Sequence, residues 1–534
     1  MRRQGLLKSP STRLDTALWV MLSLGACFVG CDSTEASERP VTSGDPSDPR
    51  KDAAAGQRDA ARESDASAES DASQAGLPNT VMTKAGPVAG EVVEDSGSGK
   101  EVRIFRGVPY AAAPVGELRW KPPQPLEPWT DVRDATEWGN RCPQGDSTLS
   151  SPGPISEDCL NLNVITPVTD GDERLPVMVF FHGGGLSIGT GNSDTYCNTA
   201  LPAQGVVVAT VNSRLGPFGY FSHPALAGES EHDSSGNYGT LDLIASLEWV
   251  QDNIEAFGGD PDNVTIFGES GGGSKVLSCM ASPLARGLFD RAIIESGSRS
   301  SAPGAVTPRQ TAESAGERLA AYLEIASDAD VLAELRARSW EEILAAAGVA
   351  EVDYSANLSI DGWVLPQSVN DAFAAGDQSD VPLIVGANEG EVGEFMQSIP
   401  ALAASMQSVS SKAYVYNFSH LPVGWRAPGC YAFHGLELPY VFGHLPGITS
   451  ETILFLGMRS CPTGADPEVG DEDALVAEHT MKMWAQFAKT GDPSVPGLVD
   501  WPAYAPESDQ YLEIATELEV KSGVASAGIA PGTE

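Results

Sequence analysis

Val264-Thr265-Ile266-Phe267-Gly268-Glu269-Ser270-Gly271-Gly272 decides the fold class: an apolar run ends in a serine set between glycines, and a helical stretch follows. A short, continuously apolar run of this kind reads as a strand covered on both faces. The G-x-S-x-G pattern behind it reads as a strained strand-to-helix turn, whose glycines tolerate a close approach that side chains would block. Four further runs share the style of the first: 176–181, 206–211, 291–295 and 382–386. Helical periodicity separates them. Leu243, Leu247, Val250 and Ile254 recur at three- and four-residue steps and predict a helix over 241–257. A second is predicted over 474–489, stopped by Thr490-Gly491-Asp492-Pro493. Such alternation predicts an α/β architecture with a mostly parallel central sheet and helices on both faces. Residues 305–375, rich in Ala, Leu and Glu, read as a helical cap insertion, and 81–108, broken by glycines, as antiparallel hairpins at an edge.

A serine hydroxyl attacks an acyl carbon only if a base takes its proton and the resulting oxyanion is held. Phe181-His182-Gly183-Gly184-Gly185 follows the 176–181 strand and matches a glycine loop whose backbone N–H groups join that of the residue after the serine. Gly184, Gly185 and Gly271 are therefore the candidate oxyanion donors. His182 is read as a hydrogen-bonding member of that loop, its rival role being the base. This chemistry needs no metal and no cofactor, and the chain shows no CxxC or HExxH spacing.

With these residues in view, the chain resembles the type-B carboxylesterase family, which includes bacterial para-nitrobenzyl esterases, liver carboxylesterases and cholinesterases. The resemblance runs from about Gly86 onward. It rests on the elbow and on Phe105-Arg106-Gly107-Val108-Pro109-Tyr110-Ala111, Ser156-Glu157-Asp158-Cys159-Leu160-Asn161-Leu162-Asn163-Val164 and Asn212-Ser213-Arg214-Leu215-Gly216. It implies the α/β-hydrolase fold and hydrolysis of small-molecule carboxylic esters through an acyl-enzyme on Ser270. By the same resemblance His434, in Phe433-His434-Gly435-Leu436-Glu437-Leu438-Pro439-Tyr440-Val441-Phe442, is the base. Glu391 aligns with the acid of a G-x-N-x-D-E-G segment, but Gly390 and Val392 depart from that pattern, so Glu389 stays open as the acid. The resemblance also implies a Cys142–Cys159 disulfide, a weaker Cys430–Cys461 pairing, and ion pairs Arg119–Glu157 and Arg214–Asp242.

Two departures bear on substrate. Leu149 stands where cholinesterases place a cation-binding Trp, which argues against choline esters. The 43-residue interval from Glu391 to His434 is shorter than the family's usual one, which implies a trimmed wall and a wider entrance. Ser296-Gly297-Ser298 resembles the family's acyl-pocket segment. Amides and lactones can use the same apparatus. Catalytically silent adhesion or binding proteins also occur on this fold after losing the nucleophile, whereas this chain keeps every residue type of the triad.

The chain of 534 residues carries a net charge of −40, which argues against nucleic acid or anionic membrane surfaces as partners. Arg2, Arg3, Lys8 and Arg13 precede an apolar stretch over 17–30, the layout of an export signal. Cys27 and Cys31 each end a segment resembling a bacterial lipobox. Cys31 is preferred for lipidation because a polar linker starts directly after it; ordinary cleavage to a soluble secreted form is the alternative. The expected division is a lipoprotein-type signal over 1–31, an acidic linker over 32–78 too poor in apolar side chains to fold, and a hydrolase domain over 79–534. A bacterial cell-envelope location follows. Nothing in the sequence specifies an oligomeric state.

Overall fold

The computed structural model describes residues 79–145, 151–169, 173–297, 306–326, 330–391, 394–427, 429–449 and 466–524. The expected signal and linker, with Cys27 and Cys31, lie outside these residues, as do Leu149, Ser298 and Cys461.

An eleven-stranded sheet organises the described chain. In chain order its strands are β1 (Glu91–Glu94), β2 (Glu101–Pro109), β3 (Asn161–Pro167), β4 (Leu175–Phe181), β5 (Val207–Val211) and β6 (Gly259–Glu269), then β7 (Arg291–Glu295), β8 (Leu383–Asn388), β9 (Ala413–Phe418), β10 (Gln510–Ile514) and β11 (Leu518–Ser522). Across the sheet they run β11-β10-β9-β8-β7-β6-β4-β5-β3-β2-β1. From β5 to β10 all neighbours are parallel, and both edges are antiparallel. Alternate residues of the central strands enter two cores. Val177, Val179, Val264, Ile266, Ala292 and Ile294 join one face, and Met178, Phe180, Phe267 and Ile293 the other. A strand buried on both faces has no polar side to show, which is why these segments read as unbroken apolar runs.

The sequence missed β9 and β10. In Ala413-Tyr414-Val415-Tyr416-Asn417-Phe418 the buried tyrosines and asparagine hide the strand, yet Tyr416 packs edge-on against Trp484 and Val415 O accepts from Trp501 Nε1 at 3.1 Å.

The helix expected over 241–257 is α1 (Tyr238–Asn253), which tightens to a 3-10 turn over Ile254–Phe257. Gly258, at φ 88°, closes that turn in the left-handed conformation. The second expected helix, α3 (Asp471–Thr490), begins earlier than its apolar periodicity suggests. Asp471, Glu472 and Asp473 form its first turn, where acidic side chains suit the helix dipole. Between these two, α2 (Gly271–Ala281) follows directly from β6.

The insertion between β7 and β8 holds the helices Arg309–Tyr322, Val331–Ala337, Trp340–Ala347 and Val369–Ala375, with a short parallel pair, Val306–Pro308 and Leu358–Ile360. Arg119 ties it to the body by donating to the carbonyls of Leu335 at 3.1 Å and Arg338 at 2.7 Å. The same guanidinium is bidentate to Glu157, at 2.6 and 2.5 Å.

Arg214 and Asp242 meet in the core, their side chains 3% and 0% exposed. Asp242 Oδ1 accepts from Nη2 at 2.6 Å, and Oδ2 accepts from both Nε and the Arg214 backbone N–H. Losing one partner of such a pair leaves the other charge buried without compensation. Asp242→Asn is expected to destabilise the fold by about 3–5 kcal/mol, read by urea unfolding. A change below about 1 kcal/mol would show that solvent reaches the pair.

Candidate active site

Ser270 joins β6 to α2 with φ 57° and ψ −120°, a conformation L-residues rarely adopt. Holding it costs about 1–3 kcal/mol and persists only where the surroundings over-determine it. Here they do. Ser270 N donates to Glu295 O of β7 at 2.8 Å, Ser270 O accepts from Ser274 N at 3.1 Å, and a Cβ on Gly272 would collide with the Phe181 carbonyl oxygen of β4.

Beyond the carboxyl end of β8, Glu391 is buried, and its Oε2 accepts from Asn388 N at 3.2 Å. Glu391 Oε1 is hydrogen-bonded to His434 Nδ1. His434 Nε2 lies 2.7 Å from Ser270 Oγ, and its side chain is 29% exposed. The histidine loop is fixed from β8, since Asn388 Nδ2 donates to Phe433 O at 2.6 Å and also reaches Glu437 Oε2. Glu389, the other acid left open, has Glu513 and Lys521 as its electrostatic neighbours.

The glycine loop follows β4, with φ 99° at Gly184 and 59° at Gly185. Gly184 O accepts from Ser187 N and Ile188 N, both at 3.1 Å, which closes the loop on itself. A Cβ on Gly271 would stand 2.5 Å from Gly185 N, so the loop and the start of α2 converge beside Ser270. His182 is buried beneath the loop, its Nδ1 2.8 Å from Gly183 O.

Further carboxylates lie under the histidine. Glu269 Oε1 is 3.2 Å from His434 Nε2 and accepts no hydrogen bond among the described residues. Burial raises the Glu269 carboxyl, His434 opposes this and Glu391 adds to it. Burial would lower the His434 imidazole, but Glu269 and the hydrogen-bonded Glu391 outweigh it and hold the ring above its ordinary value. Glu295 is pushed up to about 8, mainly by burial, while Trp484 Nε1 donates to it at 2.6 Å. Burial, with Glu269, Glu391 and Glu295 around it, also raises Glu437 well above the ordinary carboxyl value. Cys142 and Cys159 are bonded as a disulfide, Cys197 and Cys279 are free and buried, and Cys461, the expected partner of Cys430, lies outside the described residues.

A central parallel sheet with a serine at the strand-to-helix turn, an acid after a later strand and a histidine beyond it, in that chain order, defines an α/β-hydrolase. The chain belongs to the carboxylesterase family and is a carboxylic ester hydrolase: residues 78–404 and 393–529 match the Carboxylesterase family model. Over 482 residues it is 35% identical to the para-nitrobenzyl esterase of Bacillus subtilis (strain 168), covering 79% of this chain and 93% of that one. It is 33% identical over 467 residues to the fumonisin B1 esterase of Sphingopyxis macrogoltabida, covering 76% and 82%. A solved structure of a thermophilic PNB esterase superposes with a TM-score of 0.70 at 32% identity, covering 83% of this chain and 97% of that one.

Sequence reasoning passed over Glu269, Lys275, Glu295 and Glu437. The available signal was a charged residue inside an otherwise small or apolar segment, as in Gly271-Gly272-Gly273-Ser274-Lys275-Val276-Leu277. Glu269 generates a prediction. The imidazole must be neutral to take a proton, so its pKa sets the acid limb of kcat/KM. Glu269→Gln removes a carboxylate that raises that pKa, and the acid limb is expected to move to lower pH. An unmoved limb would mean that Glu269 carries no charge beside the ring in the working enzyme.

Proposed function

We propose that Ser270 is the nucleophile, His434 the general base and Glu391 the acid that orients the imidazole, with Gly184, Gly185 and Gly271 N–H as oxyanion donors. The observation that carries this reading is the unbroken hydrogen-bonded line Glu391–His434–Ser270 at the strained turn. His434 Nε2 takes the hydroxyl proton as Ser270 Oγ adds to the ester carbonyl, and the carbonyl electron pair becomes the oxyanion. Collapse expels the alcohol, which receives the proton from His434, and leaves an acyl-enzyme. Water, activated by the same imidazole, then releases the acid. Removing one donor of such an oxyanion site costs about 10²–10³ in kcat.

The substrate class is a neutral small-molecule carboxylic ester. The 43-residue interval between Glu391 and His434 supports a wide entrance that is permissive on the alcohol side. Ser270→Ala, His434→Ala and Glu391→Gln are each expected to lower p-nitrophenyl ester turnover by orders of magnitude, and Glu389→Gln to leave it nearly unchanged. If Glu389→Gln proved the crippling change and Glu391→Gln the harmless one, the acid would be misassigned. Running an amide and a lactone beside esters of rising acyl and alcohol length separates the acyl classes. A steeper fall of kcat/KM along the alcohol series than the acyl series would overturn the wide entrance.

We also propose that residues 1–31 are an export signal ending in a lipidated Cys31, and that 32–78 tether the hydrolase domain to a bacterial envelope. The basic start, the apolar stretch and the acidic linker support this. Mass spectrometry of the mature N-terminus is expected to find a diacylglyceryl cysteine, and Cys27→Ser with Cys31→Ser to release activity from the membrane fraction. An unmodified N-terminus in the soluble fraction would refute the anchor.

A further inference from the structure

Helix α2 begins at the elbow and carries a lysine on its buried side. Lys275 is 1% exposed, and among the described residues no carboxylate lies within ion-pair distance of it. Its two contacts both go to one residue of another element: Nζ lies 3.1 Å from the carbonyl oxygen of His182 and 3.3 Å from His182 Nε2.

The hydrogen-bond inventory settles which atom donates. Gly183 O can only accept, so His182 Nδ1, 2.8 Å away, carries the ring hydrogen and Nε2 is left with a lone pair. Lys275 Nζ then donates once to that lone pair and once to the carbonyl. Burial, with Lys275 beside it, holds His182 well below its ordinary pKa, so the ring is neutral. Burial likewise pushes Lys275 down to about 7. Protonated or neutral, the side-chain nitrogen has at least two N–H groups, and His182 presents two acceptors. An aliphatic side chain would fill the same space without desolvating a polar group, so packing alone does not account for a lysine here.

The two elements that Lys275 joins are those that supply the oxyanion donors. His182 is the last residue before Gly183-Gly184-Gly185, while Gly271 is the first residue of α2, and the close approach of Gly271 to Gly185 N shows how tightly they must register. We propose that Lys275 is a positioning residue of the oxyanion site, its side-chain nitrogen setting the glycine loop against α2 so that the loop and helix N–H groups converge on one oxygen. This rests on the reading of Gly184, Gly185 and Gly271 as donors. It adds to that reading the device that holds the two halves together, and a displacement of about 1 Å in such a site can cost about 100-fold in rate.

The test compares wild type with Lys275→Met, similar in length but without N–H groups, using enzyme concentrations set by burst titration. A trifluoromethyl ketone reports on the oxyanion: Ser270 Oγ adds to its carbonyl carbon, the carbonyl pair becomes the oxyanion, and the serine proton passes to His434. Lys275→Met is expected to lower kcat and weaken trifluoromethyl ketone inhibition by the same factor, about 10- to 100-fold, with KM changed less than about threefold. Lys275→Gln, which keeps N–H donors on a shorter stem, is expected to lose less, and carries the comparison alone if the Met variant does not fold. Losses that fall on KM, or that appear only as fewer active sites with kcat per site unchanged, would overturn the proposal. The donor assignment is checked separately in wild type: if the trifluoromethyl ketone bound no better than the matching methyl ketone, that assignment would fail. If wild type showed the preference and both variants kept it in full, only the role of Lys275 would fall.

Discussion

The turn at Ser270 is the constraint to which the rest of the site is referred. Strand β6 must end and α2 must begin at one residue, and the backbone at that residue lies where L-residues are strained. The strain is held from both sides: β7 accepts the serine N–H through Glu295 O, and the carbonyl end of β4 presses against Gly272 so closely that no side chain fits. Because β4, β6 and β7 are adjacent parallel strands with both faces buried, the turn cannot relax without opening the core. A hydroxyl fixed in this way is held within hydrogen-bond reach of His434 Nε2, and pre-organisation of that kind is where much of the catalytic advantage in acyl transfer arises.

Around that turn the interior is polar on both sides of the serine, and the two sides differ in sign. On the histidine side stand Glu269, Glu391, Glu437 and Glu295, all buried; Asn388 joins Glu391 to Glu437, Ser296 also bonds Glu437, and Trp484 bonds Glu295. Burial raises the carboxyls of Glu269, Glu295 and Glu437, and the His434 imidazole is the cation that Glu269 favours. On the loop side stand Lys275 and His182, two bases whose protonation burial disfavours. Ser270 thus stands between the glycine loop, backed by Lys275 and His182, and an imidazole flanked by carboxylates.

The outer parts of the sheet do different work. Its edge strands carry Glu91 and Glu94 on β1 and Glu519 and Lys521 on β11, charges that discourage a second chain from adding a strand. The insertion between β7 and β8 is fastened to the body by Arg119, whose guanidinium joins Glu157 to the carbonyls of Leu335 and Arg338. The insertion also buries Leu319, Leu335, Ile343 and Phe373 in the same core as the sheet, so the arginine adds to apolar packing.

The sequence by itself determined whatever is written in neighbouring residues: the serine between glycines after an apolar strand, the glycine loop after another, and the alternation that makes a parallel sheet. Each is local, because a turn needs its own glycines and a two-faced strand needs its own apolar run. Strands β9 and β10 were not legible, because Tyr414, Tyr416 and Asn417 are buried only by courtesy of Trp484, Trp501 and Glu513, far along the chain. The alignment favoured Glu391 as the acid but left Glu389 as an alternative, since two carboxylates two positions apart look alike in sequence. Tertiary structure separated them through side-chain direction, one toward His434 and the other toward Glu513 and Lys521. The same holds for Lys275 and Glu269. Burial and the partner across the fold turned two ordinary charged side chains into parts of the site, and burial is a property of the whole packed chain.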